Sequence, residues 1–240
     1  MIQRFLLVAC FISLSSAILA QNKLSSFPNK IQLHGGIERM DTTKPVIYLM
    51  FTGGDYNDGG KYIRQVLDDK NVPAHFFFTG DFYRKSANRR LIKGLVKDGH
   101  YLGPHSDQHL LYAAWEDRDS LLVDKPLFTK DLLANYEEMK SFGIEMEDAP
   151  YFMPPYEWYN QKISDWTAEL GLTLVNFSPG TRSNADYTTP DMGKRYLSSD
   201  YIYQRIFEYE KEDPAGLNGF FLLVHIGTHP FRKDKFYYKL

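Results

Sequence analysis

The sequence predicts an α/β fold in which β-α units build a barrel or a curved open sheet. Short apolar runs of strand character alternate with longer segments of helical spacing, and this alternation is typical of parallel β-α units. Roughly seven such units fit into the chain, which favours a closed or strongly curved sheet. Polar side chains follow several of the strands, at the carboxyl-terminal edge of the sheet where folds of this class have their active sites.

The predicted strands are continuous apolar runs rich in β-branched and aromatic residues. They cover residues 45–51, 74–78, 151–153, 172–177 and 219–225. The predicted helices carry apolar residues on one face, and Gly99 and Gly143 follow two of them, as glycine commonly does after a helix C-cap. They cover residues 60–70, 88–98, 127–142, 161–170 and 199–210.

The N-terminus predicts a signal peptide over residues 1–20. Arg4 precedes an apolar stretch that is too short to span a membrane, and small residues follow it. We expect cleavage after Ala20 and an exported protein, whether periplasmic, cell-surface or secreted. An alternative is lipidation at Cys10, which ends a lipoprotein-like sequence but leaves little apolar length before it. Residues 21–44 are then an N-terminal extension, and residues 45–240 form one domain.

Composition limits the chemistry of the mature chain. Cys10 is the only cysteine, so cleavage removes both disulfides and thiolate ligands, and any metal must be held by histidine and carboxylate. The net charge of −2 gives no indication of nucleic-acid binding. After signal removal we expect no integral membrane segment. Aromatic residues make up 15% of the chain, which suits either core packing or stacking against sugars.

The strongest chemical signal is the pair His105 and His109, which follows Gly103-Pro104. At positions i and i+4 of one helical turn, two imidazoles can share a divalent ion. A carboxylate from another strand end completes a three-ligand site with an open position for water. Asp55, which follows the first predicted strand, is the natural candidate. Chance spacing of two histidines on a polar turn is the alternative.

Four segments together resemble the polysaccharide deacetylase (NodB-like) family. Residues 99–109, Gly-His-Tyr-Leu-Gly-Pro-His-Ser-Asp-Gln-His, are similar to its second motif, which supplies two metal-binding histidines. Residues 72–80 are similar to its Val-x-Ala-Thr-Phe-Phe-x-x-Gly strand, with His75 in place of the threonine. Residues 152–156 look like its Phe-Arg-x-Pro-Tyr motif, and residues 222–225 look like its Leu-x-x-His motif. The matches occur in the family's order.

The resemblance implies a distorted (β/α)7-type barrel and a catalytic domain over residues 45–240. It implies a divalent metal, most simply Zn²⁺, at Asp55, His105 and His109. His225 takes the role of general acid. The backbone N–H of Tyr156 helps to hold the oxyanion, and the substrate is an acetylated oligo- or polysaccharide.

Side chains near the predicted mouth of the site supply substrate contacts. Pro155 and Tyr156 belong to the third matching segment, and Trp158 follows them. With Tyr159, the aromatic members of this set are expected to line the mouth and stack on sugar rings.

Two positions depart from the family pattern. The family's first motif, Thr-Phe-Asp-Asp-Gly, provides a base and a metal ligand, but here Phe51 is followed by Thr52-Gly53-Gly54-Asp55. A small shift along the chain lets Asp55 serve as the ligand or the base. Asp58 is a weaker substitute, because its sequence, Asn-Asp-Gly-Gly, is typical of a turn. Met153 replaces the arginine that orients the base.

Glu157 is the other source of a carboxylate near the altered motif. It lies just past Tyr156 and either replaces the missing base or is a solvated loop residue.

Three functions are compatible with these residues. The first is metal-dependent hydrolysis of an N- or O-acetyl group on a carbohydrate, with Asp55 or Glu157 as the base. The second is a catalytically weakened or inactive carbohydrate-binding protein that keeps the fold. The third is a metal-dependent hydrolase of another amide.

Overall fold

The computed structural model describes residues 29–240. The predicted signal peptide and Cys10 lie outside these residues. The strands are β1 Ile31–Leu33, β2 Gly36–Arg39, β3 Ile47–Gly53, β4 His75–Phe78, β5 Tyr101–Pro104, β6 Tyr151–Phe152, β7 Thr173–Leu174 and β8 Phe220–His225. The α-helices are α1 Gly60–Lys70, α2 Gly80–Arg84, α3 Arg89–Lys97, α4 Lys125–Lys140, α5 Gln161–Glu169 and α6 Ser199–Glu212.

The strands curl into a distorted barrel, as the sequence predicts. One sheet has the order β1-β2-β8-β3-β4-β5, and β6 and β7 form a second, parallel pair. A few hydrogen bonds join the two sheets on each side. Met153 N donates to Pro104 O at 3.2 Å beside β5, and Asn176 N donates to Ile37 O in β2 at 2.8 Å. The ring therefore closes through sparse hydrogen bonds, which explains its irregular shape.

The N-terminal strands differ from a purely parallel arrangement. β2 pairs antiparallel with both β1 and β8, so the segment before residue 45 adds strands to the sheet. Arg39, which is buried, fastens β2 to the loop before β8. Its guanidinium donates to Gly216 O at 2.6 Å and to Asn218 O at 2.9 Å.

Side chains of the central strands alternate between two apolar clusters, as the period of a β-strand requires. Phe51 and Phe76 stack at 5.0 Å on the helix-covered face. Met50, Phe77 and Leu223 point into the barrel interior. Within the described part of the chain, no helix is long and apolar enough to cross a membrane.

The parallel register aligns the carboxyl ends of β8, β3 and β4. Thr52 lies opposite both His225 and Phe77, and β5 ends beside β4 at Pro104. The residues that follow these strands therefore meet at one edge of the barrel.

Candidate active site

A cavity of about 930 Å³ opens at the carboxyl ends of the strands. Its lining includes six residues named from the sequence, namely Asp55, His105, His109, Tyr156, Glu157 and His225. The structure therefore brings the predicted chemical groups into one pocket.

His105 is buried directly after β5 and is fixed by its neighbours. Its main-chain N donates to Asn135 Oδ1 at 2.8 Å, and its Nδ1 lies 2.9 Å from Met153 O. A carbonyl oxygen can only accept, so Nδ1 carries the proton and Nε2 presents a lone pair to the cavity. Metal-binding histidines commonly have such an acceptor behind them.

His109 meets His105 through a turn rather than through the helical turn that the spacing suggested. Ser106 and His109 have φ values of 68° and 56°, in the left-handed region that non-glycine residues rarely adopt. Ser106 Oγ accepts from His109 N at 2.9 Å, which stabilises the turn. The expectation of a helix here was wrong, but the two rings still converge, with Nε2 atoms 3.3 Å apart.

The spacing of the two imidazoles fits a shared metal ion. Two nitrogens bound to a tetrahedral Zn²⁺ stand about 3.3 Å apart, given Zn–N bonds near 2.0 Å. Burial lowers the pKa of both rings, that of His109 to about 4, and the neighbouring His109 adds to the effect on His105. Both rings are therefore neutral at pH 7. Within residues 29–240, no three His, Cys, Asp or Glu side chains stand close enough to hold an ion as they are. The donors fit a metal once a carboxylate moves toward the histidines.

Asp55 lies at the rim of the cavity. Its side chain is 86% exposed, and Lys85 Nζ stands 3.8 Å from its carboxylate. The same ammonium group donates to Gly54 O and Asp55 O, both at 3.0 Å, which fixes this backbone.

Asp58 has a structural role instead. It accepts from Thr228 N at 2.8 Å and Tyr237 OH at 3.0 Å and pairs with Lys235 at 2.8 Å. These contacts occupy its carboxylate with the loop after β8, so it is not a substitute for the missing base.

Glu157 is not a solvated loop residue. Only 11% of its side chain is exposed, and Oε1 lies 4.0 Å from His105 Nε2. Burial raises the pKa of this carboxyl to about 7, although His225 nearby acts in the opposite direction. Its backbone has φ 53°, directly after Tyr156 at φ 59°. Two consecutive non-glycine residues in this region are a strained arrangement of the kind that clusters at functional sites.

His225 forms an ion pair with Asp186 that the sequence did not reveal. The Nδ1 to Oδ1 distance is 2.6 Å, and Asp186 Oδ2 accepts from His225 N at 2.9 Å. Burial favours the neutral ring, but the Asp186 carboxylate outweighs it and raises the pKa of His225. Asp186 lies in a 3-10 turn, Ser183–Tyr187, that packs against β8. No spacing pattern in the sequence links these positions.

Aromatic side chains form one wall of the mouth. Tyr156 is 45% exposed, and its ring lies 4.3 Å from that of His109. Trp115 is 51% exposed and packs edge-on against Tyr156 at 5.7 Å. No sequence pattern singles out Trp115, which lies in the long loop between β5 and α4.

Two predicted mouth residues have supporting positions. Trp158 lies behind Trp115 and donates from Nε1 to Ala114 O at 3.1 Å, while the Arg118 guanidinium stacks on its ring at 3.5 Å. Tyr159 is fully buried and donates to Leu33 O at 2.9 Å, so its placement at the mouth was wrong. Pro155 is buried beneath the turn that presents Tyr156.

Residues 39–175 match the family model described as polysaccharide deacetylase. An uncharacterized 30.6 kDa protein of Geobacillus stearothermophilus is 29% identical over 145 residues, 60% of this chain and 51% of that protein. The peptidoglycan-N-acetylmuramic acid deacetylase PdaA of Bacillus subtilis is 29% identical over 153 residues, 61% and 54% of the two chains. The chain thus spans about half the length of these curated relatives.

Solved structures share the fold. The family 4 carbohydrate esterase structure of Bacillus subtilis PdaA aligns with a TM-score of 0.63 and 21% identity, covering 92% of this chain and 79% of that one. A pseudoenzyme of the same esterase family from Bacillus anthracis aligns with a TM-score of 0.61 and 16% identity, covering 89% and 71%. The distorted barrel is therefore the fold of these esterases.

Proposed function

Because this chain belongs to the polysaccharide deacetylase family, we propose that it is a metal-dependent hydrolase that removes N- or O-linked acetyl groups from a carbohydrate. One observation carries the proposal. The paired Nε2 atoms of His105 and His109, 3.3 Å apart, share a single cavity with the His225–Asp186 pair. This arrangement supplies both a metal-binding pair and an acid, the two parts that acetyl hydrolysis requires.

The histidines would hold a divalent ion, together with a carboxylate from Asp55 or Glu157. Two imidazoles and one carboxylate are a donor set typical of catalytic Zn²⁺ sites, which makes zinc the first candidate. When bound, such an ion lowers the pKa of a water molecule and polarises the acetyl carbonyl.

The protein's own groups would handle the protons and the developing charge. The carboxylate that is not engaged as a ligand accepts a proton from the attacking water. His225, kept protonated by Asp186, gives its proton to the departing amine or hydroxyl. The backbone N–H of Tyr156 stabilises the oxyanion, and the exposed rings of Tyr156 and Trp115 stack on sugar faces.

A second candidate is a carbohydrate-binding protein of the same fold that has lost catalysis. Thr52 and Gly53 stand where the family motif has two aspartates, and buried Met153 stands where it has arginine. The structural match to a pseudoenzyme supports this reading. The intact His105–His109 and His225–Asp186 pairs favour the hydrolase.

The signal-like N-terminus supports action outside the cytoplasm, on an extracellular or envelope glycan. Fractionation of cells that express the full chain tests this location. Recovery in the cytoplasm with residues 1–20 still attached would contradict it.

Metal analysis and acetate release together test the function. We expect one equivalent of metal in the purified protein and metal-dependent acetate release from acetylated chito-oligosaccharides or acetylated xylan. His105→Ala should abolish both, while the control His34→Ala, outside the cavity, should change neither. Metal without acetate release would favour the binding protein. A parent protein that binds no metal after reconstitution would refute the hydrolase.

A further inference from the structure

We propose that Glu157 supplies the third metal ligand of this site, in place of the carboxylates that are absent from the end of β3. The inference rests on the proposed metal-dependent function and specifies which residue completes the site. The carboxylate ligand would then come from the turn after β6 rather than from the end of β3.

The end of β3 offers no carboxylate to a metal. Thr52 presents a hydroxyl, and Gly53 has no side chain. A Cβ atom added at Gly53 would meet Ile226 Cγ2 at 2.8 Å and Phe78 Cδ1 at 2.9 Å, so no carboxylate fits there without repacking. The packing between β3, β4 and β8 has closed the position where a ligand would stand.

The Asp55 side chain is held at the exposed rim of the cavity. Lys85 binds the main-chain oxygens of Gly54 and Asp55 and lies near the Asp55 carboxylate. A side chain that is 86% exposed loses little by staying in water, and moving it inward would separate it from this ammonium group. Both facts favour a role for Asp55 at the rim.

Glu157 is in the opposite situation. Its side chain is only 11% exposed, and no residue of the described chain donates a hydrogen bond to its carboxylate. A mostly buried carboxylate without a hydrogen-bond donor is costly, and a divalent cation between it and the histidines would offset that cost. Its Oε1 lies 4.0 Å from His105 Nε2, so closing by roughly 0.7 Å gives the spacing of two ligands on one tetrahedral ion.

The backbone around Glu157 holds the side chain toward the histidines. Glu157 N donates to Pro154 O at 3.1 Å and Trp158 N donates to Pro155 O at 3.2 Å. Asn176 Nδ2 donates to Glu157 O at 3.1 Å. These bonds maintain two left-handed residues in succession, a conformation that the turn itself would not favour.

Calorimetric titration of the metal-free protein with Zn²⁺ measures the affinity for the ion and tests the assignment. We expect Glu157→Gln to weaken Zn²⁺ binding at least about 100-fold, the upper range for loss of a group that only supports a ligand. Asp55→Asn should stay within about threefold, as should the control Glu147→Gln, an exposed glutamate in another 3-10 turn.

The visible absorption of bound Co²⁺ separates a ligand from a nearby charge. Replacing a ligand changes the band, whereas removing a neighbouring charge leaves it in place, so only Glu157→Gln should alter the spectrum. If Glu157→Gln binds Zn²⁺ like the parent, or if Asp55→Asn loses the metal, the assignment is wrong while the proposed hydrolase stands. A parent protein that binds no Zn²⁺ would overturn both.

Discussion

At the scale of single residues, His225, the proposed acid, depends on one buried carboxylate. Asp186 contacts His225 through both its oxygens, one on the ring and one on the main chain. The ring contact favours the protonated imidazole, and the main-chain contact fixes its position at the end of β8. An acid must be protonated to act, so the raised pKa of His225 extends activity toward higher pH.

Asp186→Asn is expected to lower kcat at least about 100-fold, the usual contribution of a general acid. Without the carboxylate the pKa of His225 falls, so the basic limb of the pH–rate profile should move to lower pH. Asp148→Asn, at an exposed position, serves as the control. An unchanged basic limb in Asp186→Asn would show that His225 is not the acid.

Glu157 is expected to lower the free energy of unfolding of the metal-free protein as the pH rises. Its pKa rises on folding from an ordinary value of 4.5 to about 7, so the folded state holds the proton more tightly than the unfolded state. The cost of burying the charge is absent below pH 4.5 and complete above pH 7. Glu157→Gln should therefore stabilise the metal-free protein by about 3 kcal/mol at pH 8, with the gain vanishing toward pH 4.5.

Urea unfolding at several pH values measures this effect. Glu147→Gln, whose side chain is exposed, should show no such pH-dependent gain. A constant difference between Glu157→Gln and the parent from pH 4.5 to pH 8 would contradict the buried-charge explanation.

At the scale of elements, packing around the end of β3 determines which positions have room for a carboxylate side chain. Gly53 faces Ile226 and Phe78 at distances too short for any side chain, whereas a Cβ at Gly54 would stand 3.7 Å from its nearest neighbour, Thr79 Cγ2. Neighbouring glycines thus differ in whether they tolerate a carboxylate.

Gly53→Asp is expected to destabilise the protein by about 1–3 kcal/mol, the usual cost of overpacking. Gly54→Asp should change the free energy of unfolding by less than about 0.5 kcal/mol, because a Cβ there meets Thr79 only at an ordinary van der Waals distance. Chemical denaturation of the two variants compares them directly. Equal destabilisation would mean that the barrel end repacks more easily than its contacts indicate.

The strands that the sequence predicted are those whose own residues favour burial. The runs of residues 45–51, 74–78 and 219–225 became β3, β4 and β8, with boundary shifts of one or two residues. β2 and β5 were not predicted because Gly36–Arg39 is mixed in polarity and Tyr101–Pro104 contains glycine and proline. β2 pairs with the adjacent β1 and with β8, and β5 pairs with β4, so this pairing, rather than the preference of their own residues, holds them extended.

At the scale of the whole molecule, some residues of the site can be located from local sequence patterns, and others are brought in by tertiary packing. His105, His109 and His225 follow strands, so the sequence could place them at one edge of the barrel. Asp186 reaches His225 through a turn that packs on β8 from across 39 positions of the chain. Trp115 reaches the mouth through a long loop. Positions of this kind depend on tertiary packing, and no local pattern encodes them.

The proposed metal site exists only in the folded protein. Metal binding should therefore stabilise the folded state of the whole molecule against unfolding. At free Zn²⁺ of 100 times Kd the expected gain is about 2.7 kcal/mol, which raises Tm by roughly 5–10 °C for a domain of this size. Scanning calorimetry with Zn²⁺ and with a chelator measures the shift. His105→Ala should show none, while His34→Ala should behave like the parent. A shift that persists in His105→Ala would place the stabilising metal elsewhere on the protein. Asn135 holds the main chain of His105 and Met153 holds its ring, so His105 is the best-fixed ligand of the proposed centre.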